Sequence, residues 1–343
     1  MRGALIPRFR TARFLIACLS IASVAAPLTA QKLTGAGATF PYPIYAKWFS
    51  EYDAAHPGVS IRYSAVGSGA GIRQASAGVV DFGATDAPMT DRQLAAARTK
   101  LVHLPTLMGA VVPIFHVEGV RDLRFAPEVL ADIYLGRITR WNDPRIARDN
   151  PDAKLPDKKI VVVHRAETSG TTYIFTDYLS KVSQAWASGP GRSTAPNWPV
   201  GVGAVRNDGV ARVVRATDGA LGYVELIYAR ENRLEFGDVR NAAGNWVKAS
   251  SESIAAAIGG MQNLSSDYRV SITNAPGADA YPIASFTWLL APLRSSDAAK
   301  ARVLKDLLTW IETKGQSEAE SLEYAPLPKP VVEKVLETIS RLQ

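Results

Sequence analysis

A glycine-rich loop that leads into a predicted helix is the first feature of the sequence that could do chemistry. Residues 67–71 read Gly-Ser-Gly-Ala-Gly. Glycines let the backbone turn sharply and approach a ligand closely. The first N–H groups of a helix lack partners and carry a partial positive charge, so this loop is a candidate anion site. The loop by itself is also a common turn, and it matches neither G-x-G-x-x-G nor a Walker A loop.

An aspartate, Asp86, follows a short apolar segment that we interpret as a strand over Val79–Ala84. Ligands of open α/β sheets bind at the carboxyl ends of strands, which places Asp86 beside the glycine loop. A carboxylate repels an anion unless the anion carries a proton to share. Phosphate carries one at neutral pH, so the combination points to phosphate. Asp86 could also be a simple turn residue before Ala87-Pro88.

A second strand, loop and helix unit carries an arginine. Lys159–His164 is nearly all β-branched and apolar, as in a parallel strand that is covered on both faces. Arg165 ends it, Ser169-Gly170-Thr171 follow, and a helix with an apolar face comes next. Arginine suits a forked grip on a phosphate-like oxyanion. The alternative is that Arg165 only pairs with Glu167.

A third helix start follows the predicted strand Lys32–Gly37. Thr39-Phe40-Pro41 precede an amphipathic stretch, and prolines are tolerated in the first turn of a helix. We therefore expect Thr39 to be the N-cap of this helix, a role that threonine fills with or without a ligand.

Several kinds of chemistry lack support in the sequence. The four histidines are scattered without metal-ligand spacing, and no serine lies in a G-x-S-x-G motif. We expect no metal and no cofactor. Dense Lys/Arg blocks are absent after residue 30, so we expect no nucleic-acid partner.

The N-terminus has the pattern of a secretory signal peptide. Four arginines precede an apolar stretch over Phe14–Val24, which is too short to span a bilayer, and Ala30 is a suitable last residue before cleavage. We assign residues 1–30 to this segment and expect a soluble mature protein without Cys18, the only cysteine. Loss of the four arginines lowers the net charge from +7 to +3.

Alternating strand and helix patterns predict an α/β fold of mixed sheets flanked by helices. Its length, 343 residues, is enough for two lobes. Further strands are predicted over 59–63, Leu107–Val117, Gly219–Ala229 and Ile283–Ala291, and further helices over Asp91–Arg98, Pro127–Leu135, Ser295–Thr313 and Pro330–Leu342.

Six segments in this order resemble the phosphate-binding protein of bacterial ABC phosphate importers, the PstS family. They span nearly the whole chain after residue 30 and read LTGAGATFPYPIY (Leu33–Tyr45), VGSGAG (Val66–Gly71), VDFGATDAP (Val80–Pro88), IYLGRITRWND (Ile133–Asp143), RAETSGTT (Arg165–Thr172) and GALGYVE (Gly219–Glu225).

The resemblance implies a two-lobed periplasmic binding protein with a ligand cleft between the lobes. We expect lobe one to comprise residues 31–110 and 285–343, and lobe two residues 111–284, with crossovers at Ala110–Val117 and Ile283–Ala291. By motif position the phosphate-binding residues would be Thr39, Phe40, Ser68, Asp86, Arg165, Ser169, Gly170 and Thr171.

The function that the resemblance implies is a periplasmic receptor. It would be a monomer and not an enzyme, and it would deliver inorganic phosphate to the membrane permease of an ABC importer with a cytoplasmic ATPase. Two alternatives are a phosphatase or phosphoryl transferase on the same cradle, and a receptor for another oxyanion such as sulfate.

Two positions depart from the family pattern. Glu167-Thr168 replaces the usual Asp-Gly before Ser169, and His116 stands where relatives often carry asparagine. We expect these changes to affect affinity more than ligand identity.

Overall fold

The computed structural model describes residues 1, 3–4, 31–259 and 265–343. The predicted signal peptide, with Cys18 and the cleavage position, lies almost entirely outside the described residues. The strands are β1 (Gln31–Gly37), β2 (Val59–Ala65), β3 (Phe82–Thr85), β4 (Leu101–His116), β5 (Arg124–Phe125), β6 (Val161–Arg165), β7 (Val202–Ala204), β8 (Ala220–Glu225), β9 (Glu235–Phe236), β10 (Asp238–Arg240), β11 (Trp246–Val247) and β12 (Ala284–Pro292).

Helices alternate with these strands over most of the chain. They are α1 (Tyr42–Ala55), α2 (Ser68–Ser76), α3 (Asp91–Ala96), α4 (Pro127–Tyr134), α5 (Pro144–Asp149), α6 (Gly170–Val182), α7 (Gln184–Ser188), α8 (Arg206–Ala216), α9 (Leu226–Glu231), α10 (Ser251–Ala256), α11 (Ala298–Thr313) and α12 (Lys329–Ser340). None of the helices in the described part of the chain is both long enough and apolar enough to cross a membrane.

The main sheet is mixed, with the order β2-β1-β3-β12-β4-β8-β6-β7 and with β9 also paired to β4. β1 runs parallel to β2 and β3, and β6 runs parallel to β7 and β8. The long strand β4 is antiparallel to both of its main partners. It pairs with β12 through Leu101–Ala110 and with β8 through Val111–His116.

The core is built from the apolar faces that the sequence patterns predict. In α1, Ile44, Tyr45, Trp48 and Phe49 are buried at the expected spacing. β4 is buried along nearly its whole length, because sheet neighbours flank it and helices cover it.

Two strand predictions need correction. The predicted strand Val79–Ala84 starts only at Phe82, and Val79 is 70% exposed. Asp81 lies outside it and accepts hydrogen bonds from the backbone N–H and the hydroxyl of Thr34. The predicted strand Gly219–Ala229 ends at Glu225, where the side chain caps α9. The apolar run continues through the helix, so periodicity did not show the change.

Candidate functional site

Two groups of parallel strands contribute to one site. β1, β2 and β3 run in one direction next to each other, and β6, β7 and β8 form a second parallel group. Thr39, Ser68, Asp86, Arg165 and Asn207 lie at the carboxyl ends of these strands or in the loops and helix starts that follow them. All five side chains are at most 3% exposed. Loops at the carboxyl ends of strands are where α/β proteins bind ligands, so this cluster is the candidate site.

The guanidinium of Arg165 joins two threonine hydroxyls that come from distant parts of the chain. Nη1 donates to Thr171 Oγ1 at 3.3 Å, and Nη2 donates to Thr39 Oγ1 at 3.4 Å. Arg165 also donates to Glu167 Oε1, from Nε at 3.1 Å and from Nη2. The pairing with Glu167 therefore exists, but it occupies only one side of the guanidinium.

Asp86 is the acidic group of the cluster and is 1% exposed. Its Oδ1 accepts from Thr287 Oγ1 at 2.8 Å, and its Oδ2 accepts from Ser68 Oγ at 3.3 Å. Burial raises the pKa of Asp86 to about 7, although the hydrogen bond from Thr287, the charge of Arg165 and the hydrogen bond from Ser68 act in the opposite direction. Near neutral pH this carboxyl is thus close to its titration midpoint.

Gly170, the first residue of α6, packs directly on Ser68 and Asp86. A Cβ atom at this position would overlap Ser68 Oγ and would lie 2.5 Å from Asp86 Oδ2. The glycine is required here by close approach. It brings the start of α6, with its free N–H groups, against the carboxylate.

The other two predicted residues, Phe40 and Ser169, are buried chain neighbours of Thr39 and Gly170. The phenyl ring of Phe40 is buried in the core, and its carbonyl accepts from Tyr324 Oη at 2.7 Å. Ser169 caps α6, because its Oγ accepts from Thr172 N at 3.1 Å. Among the described residues, no acceptor contacts the N–H of Phe40 or of Thr171.

The structure therefore brings Thr39, Ser68, Asp86, Arg165, Gly170 and Thr171 into one buried cluster, whereas Phe40 and Ser169 are only the buried chain neighbours of Thr39 and Gly170. The predicted capping role of Thr39 is wrong. The N-cap of α1 is Pro41, without a side-chain bond, and Thr39 Oγ1 is held by Arg165 and Asn207 instead. The cluster combines a guanidinium, hydroxyls and backbone N–H groups with the carboxyl group of Asp86. That combination suits an oxyanion that carries a proton.

A cavity of about 520 Å³ lies beside Thr39 and opens to the surface. Tyr42, Tyr63, Arg206 and Tyr228 are among its lining residues. Tyr228 also contacts Thr39 directly, because its hydroxyl donates to Thr39 O at 2.6 Å. This cavity is therefore a candidate route to the cluster.

The ranges 31–259 and 265–343 hold no group of three or more His, Cys, Asp or Glu side chains placed to bind a metal ion.

Four residues of the cluster, Asn207, Glu225, Tyr228 and Thr287, were not predicted. Asn207 follows β7, and Glu225 ends β8. Both strands run parallel to β6, so both residues lie at the same edge of the sheet as Arg165. An asparagine three residues after the end of a short strand was the available indication for Asn207. Thr287 lies within β12, and its bond to Asp86 spans 201 residues of sequence.

Glu225 is a fully buried acid at the point where β4 changes partner. It pairs with Val111, its Oε2 accepts from Ile227 N at 3.0 Å, and its Oε1 has no partner among the described residues. Burial raises the pKa of Glu225 well above its usual range, and the nearby charge of Asp86 raises it further. Burial therefore favours the protonated form of Glu225 in the folded protein.

Replacing Glu225 by glutamine is expected to stabilise the protein increasingly as pH rises. Because the pKa of Glu225 is raised in the folded protein, the folded state keeps a proton that the unfolded chain releases above about pH 4.3; between that pH and the raised pKa the stability falls by up to about 1.4 kcal/mol per pH unit. Glutamine has no such proton. Urea unfolding of both proteins at several pH values measures the difference, and a pH-independent difference would contradict a neutral Glu225.

The departures in the loop after β6, Glu167 and Thr168, fit locally. Burial acts to raise the pKa of Glu167, but the hydrogen bond and the charge of Arg165 outweigh it and the pKa is lowered. Arg206 N also donates to Glu167 Oε1 at 3.0 Å. Thr168 does not have a positive φ, and its methyl lies over Gly69, where a Cβ would be only 2.5 Å away.

The other departure, His116, is remote from the cluster. It ends β4 and pairs with Ala220, whereas the cluster adjoins the Val111–Glu225 end of the same ladder. Five residues of strand separate the two ends by roughly 17 Å.

Comparison with known proteins places the chain among solute-binding proteins. A model of the PBP superfamily domain matches residues 22–313. A high affinity periplasmic phosphate-binding protein solved with phosphate superposes with a TM-score of 0.74 at 22% identity, covering 89% of this chain and 93% of that one. The phosphate-binding protein from Stenotrophomonas maltophilia gives 0.66 at 19% identity, covering 90% and 94%. The chain therefore has the fold of a periplasmic binding protein.

Curated relatives narrow the class to one family. The phosphate-binding protein PstS of Xylella fastidiosa (strain Temecula1) is 42% identical over 307 residues, which is 89% of this chain and 84% of the relative. PstS of Pasteurella multocida is 39% identical over 328 residues, which is 95% and 94% of the two chains. This chain belongs to the PstS family of phosphate-binding proteins.

Proposed function

We propose that this protein is a periplasmic receptor that captures inorganic phosphate and delivers it to the membrane permease of an ABC importer. The observation that carries the proposal is the buried cluster, in which Arg165 donates to Thr39 and Thr171 while Ser68 donates to the carboxyl group of Asp86. Family membership supports the same ligand. The eight residues from Thr39 to Thr171 that the sequence suggested are the proposed contacts.

Two lobes closing on the ligand would explain why the cluster is so deeply buried. We assign residues 31–110 and 285–343 to one lobe and residues 111–284 to the other. The partner change of β4 between Ala110 and Val111, next to the start of β12 at Ala284, supports this boundary. Hinge motion at such crossovers would open the route beside Thr39.

Isothermal titration with phosphate, arsenate and sulfate tests the proposed ligand. We expect saturable binding of one phosphate per chain and competition by arsenate, which has the same charge and protons. Binding of sulfate with comparable affinity would overturn the assignment in favour of a general oxyanion receptor. Size-exclusion chromatography with light scattering on the same sample tests the proposed monomer.

Phosphate monoesters are expected neither to bind tightly nor to be hydrolysed. The cluster residues Thr39, Ser68, Asp86, Arg165 and Thr171 are all at most 3% exposed, so a bound oxyanion would be closely enclosed by them in the closed form. The measurement is release of nitrophenol from p-nitrophenyl phosphate, with and without divalent metals. Turnover that survives repurification and disappears in Ser68→Ala or Asp86→Ala would show that the protein is an enzyme.

A further inference from the structure

Asn207 is the one amide side chain in the cluster, and its orientation is fixed. It lies in the first turn of α8 and is completely buried. Its Oδ1 accepts from the backbone N–H of Glu225 at 3.2 Å. Since a backbone N–H can only donate, the amide oxygen must face Glu225 and the amide nitrogen must face the threonines.

The amide nitrogen of Asn207 contacts the same two hydroxyls as Arg165. Nδ2 donates to Thr39 Oγ1 at 2.9 Å and to Thr171 Oγ1 at 3.2 Å. Arg165 donates to these two oxygens from Nη2 and Nη1. Each threonine oxygen thus has two N–H donors and no side-chain acceptor among the described residues.

The number of lone pairs then determines where the hydroxyl protons go. A hydroxyl has one proton and two lone pairs, and neither an arginine nor an amide NH₂ can accept a hydrogen bond. With both lone pairs occupied, the O–H of Thr39 and the O–H of Thr171 must each donate to a third group. In a closed cluster that holds an anion, the anion is that group.

We propose that Asn207 is a positioning residue that aims the hydroxyl protons of Thr39 and Thr171 at the bound phosphate. This inference rests on the proposed phosphate-binding function. Without Asn207, each hydroxyl has a free lone pair and several possible orientations. Donation to the anion would then require both hydroxyl groups to lose rotational freedom. The amide thereby turns two amphoteric hydroxyls into dedicated donors, which favours anions over neutral ligands.

A double-mutant cycle separates this role from simple support of α8. Asn207→Ala is expected to weaken phosphate binding about 10-fold, since two hydrogen bonds to a charged ligand lose their orientation. In the Thr39→Val/Thr171→Val background, the same change is expected to have almost no effect, because no hydroxyl remains to be aimed. The phosphorus NMR shift of bound phosphate should likewise respond to Asn207→Ala only when the threonines are present.

Asn207→Asp keeps the shape and the bond from Glu225 but cannot donate when ionised. The threonine hydroxyls would then donate to the introduced carboxylate rather than to phosphate, and we expect a loss of about 100-fold or more. Thermal unfolding without phosphate shows whether each variant is folded. Equal losses for Asn207→Ala in both backgrounds, with normal wild-type binding, overturn the inference alone. Absence of phosphate binding by the wild type overturns the proposed function together with it.

Discussion

Wild-type protein is expected to bind phosphate about 10⁴–10⁵-fold more tightly than sulfate at alkaline pH, where Asp86 is ionised, because sites built around a required hydrogen bond reject analogues that lack it by this factor. Ionised Asp86 can only accept a hydrogen bond. Both of its oxygens lie inside the cluster, and the residue is 1% exposed, so water cannot intervene. Phosphate offers a proton to it, whereas sulfate offers a lone pair and a like charge.

The raised pKa of Asp86 adds a pH dependence to this preference. Its carboxyl titrates at a pKa of about 7 in the closed cluster because of burial. Below that pH the protonated carboxyl can donate to sulfate. Sulfate affinity of the wild type should therefore rise as the pH falls through about 7, and the preference for phosphate should shrink. Competition titrations at constant ionic strength over this range measure the ratio.

Asp86→Asn is the matched test, because asparagine has the same shape, carries no charge and can donate through its amide. We expect the phosphate-to-sulfate ratio to fall by about 100-fold or more and the pH dependence of sulfate binding to disappear. Asp81→Asn is the control. It changes an aspartate just before β3 that contacts Thr34 and Lys300 outside the cluster. If the wild type binds sulfate nearly as well as phosphate, Asp86 does not select phosphate by accepting a hydrogen bond from its proton.

Arg165→Ala is expected to weaken phosphate binding by roughly 30- to several thousand-fold, the range for removing one partner of a buried charge pair. Arg165 is 3% exposed and is the guanidinium that holds Thr39 and Thr171 together. Its removal also leaves Glu167 without its cation. Ser169→Ala should cost only about 10-fold, since it removes one neutral hydroxyl and a helix cap.

A double variant separates the two consequences of losing Arg165. In Arg165→Ala/Glu167→Gln no unpaired carboxylate remains, so affinity that stays low identifies Arg165 as a ligand of the anion. Recovery to near the wild-type affinity would mean that Arg165 serves only to neutralise Glu167. Arg145→Ala is a suitable control, because Arg145 pairs with Asp132 and Asp143 away from the cluster.

The sequence by itself determined the local units that make up the site. Around Ser68 and Arg165 the sequence predicts a strand, a glycine or serine loop and the start of a helix. Such local units can be predicted because periodicity and turn chemistry are encoded by neighbouring residues. The types of donors, and the presence of one carboxylate among them, followed from the same segments. The ends of strands were predicted less accurately where an apolar run continues from a strand into a helix, as at Glu225.

Only the tertiary structure decided which of these units meet and in what protonation state. Asn207 bonds to Thr39 across 168 residues, and Thr287 bonds to Asp86 across 201 residues. No local pattern specifies such pairings, because they depend on the order of strands in the sheet. The raised pKa values of Asp86 and Glu225 arise from burial, which is a property of the packed fold. For the same reason Thr39, a plausible helix cap by local pattern, became a hydroxyl held between an arginine and an amide.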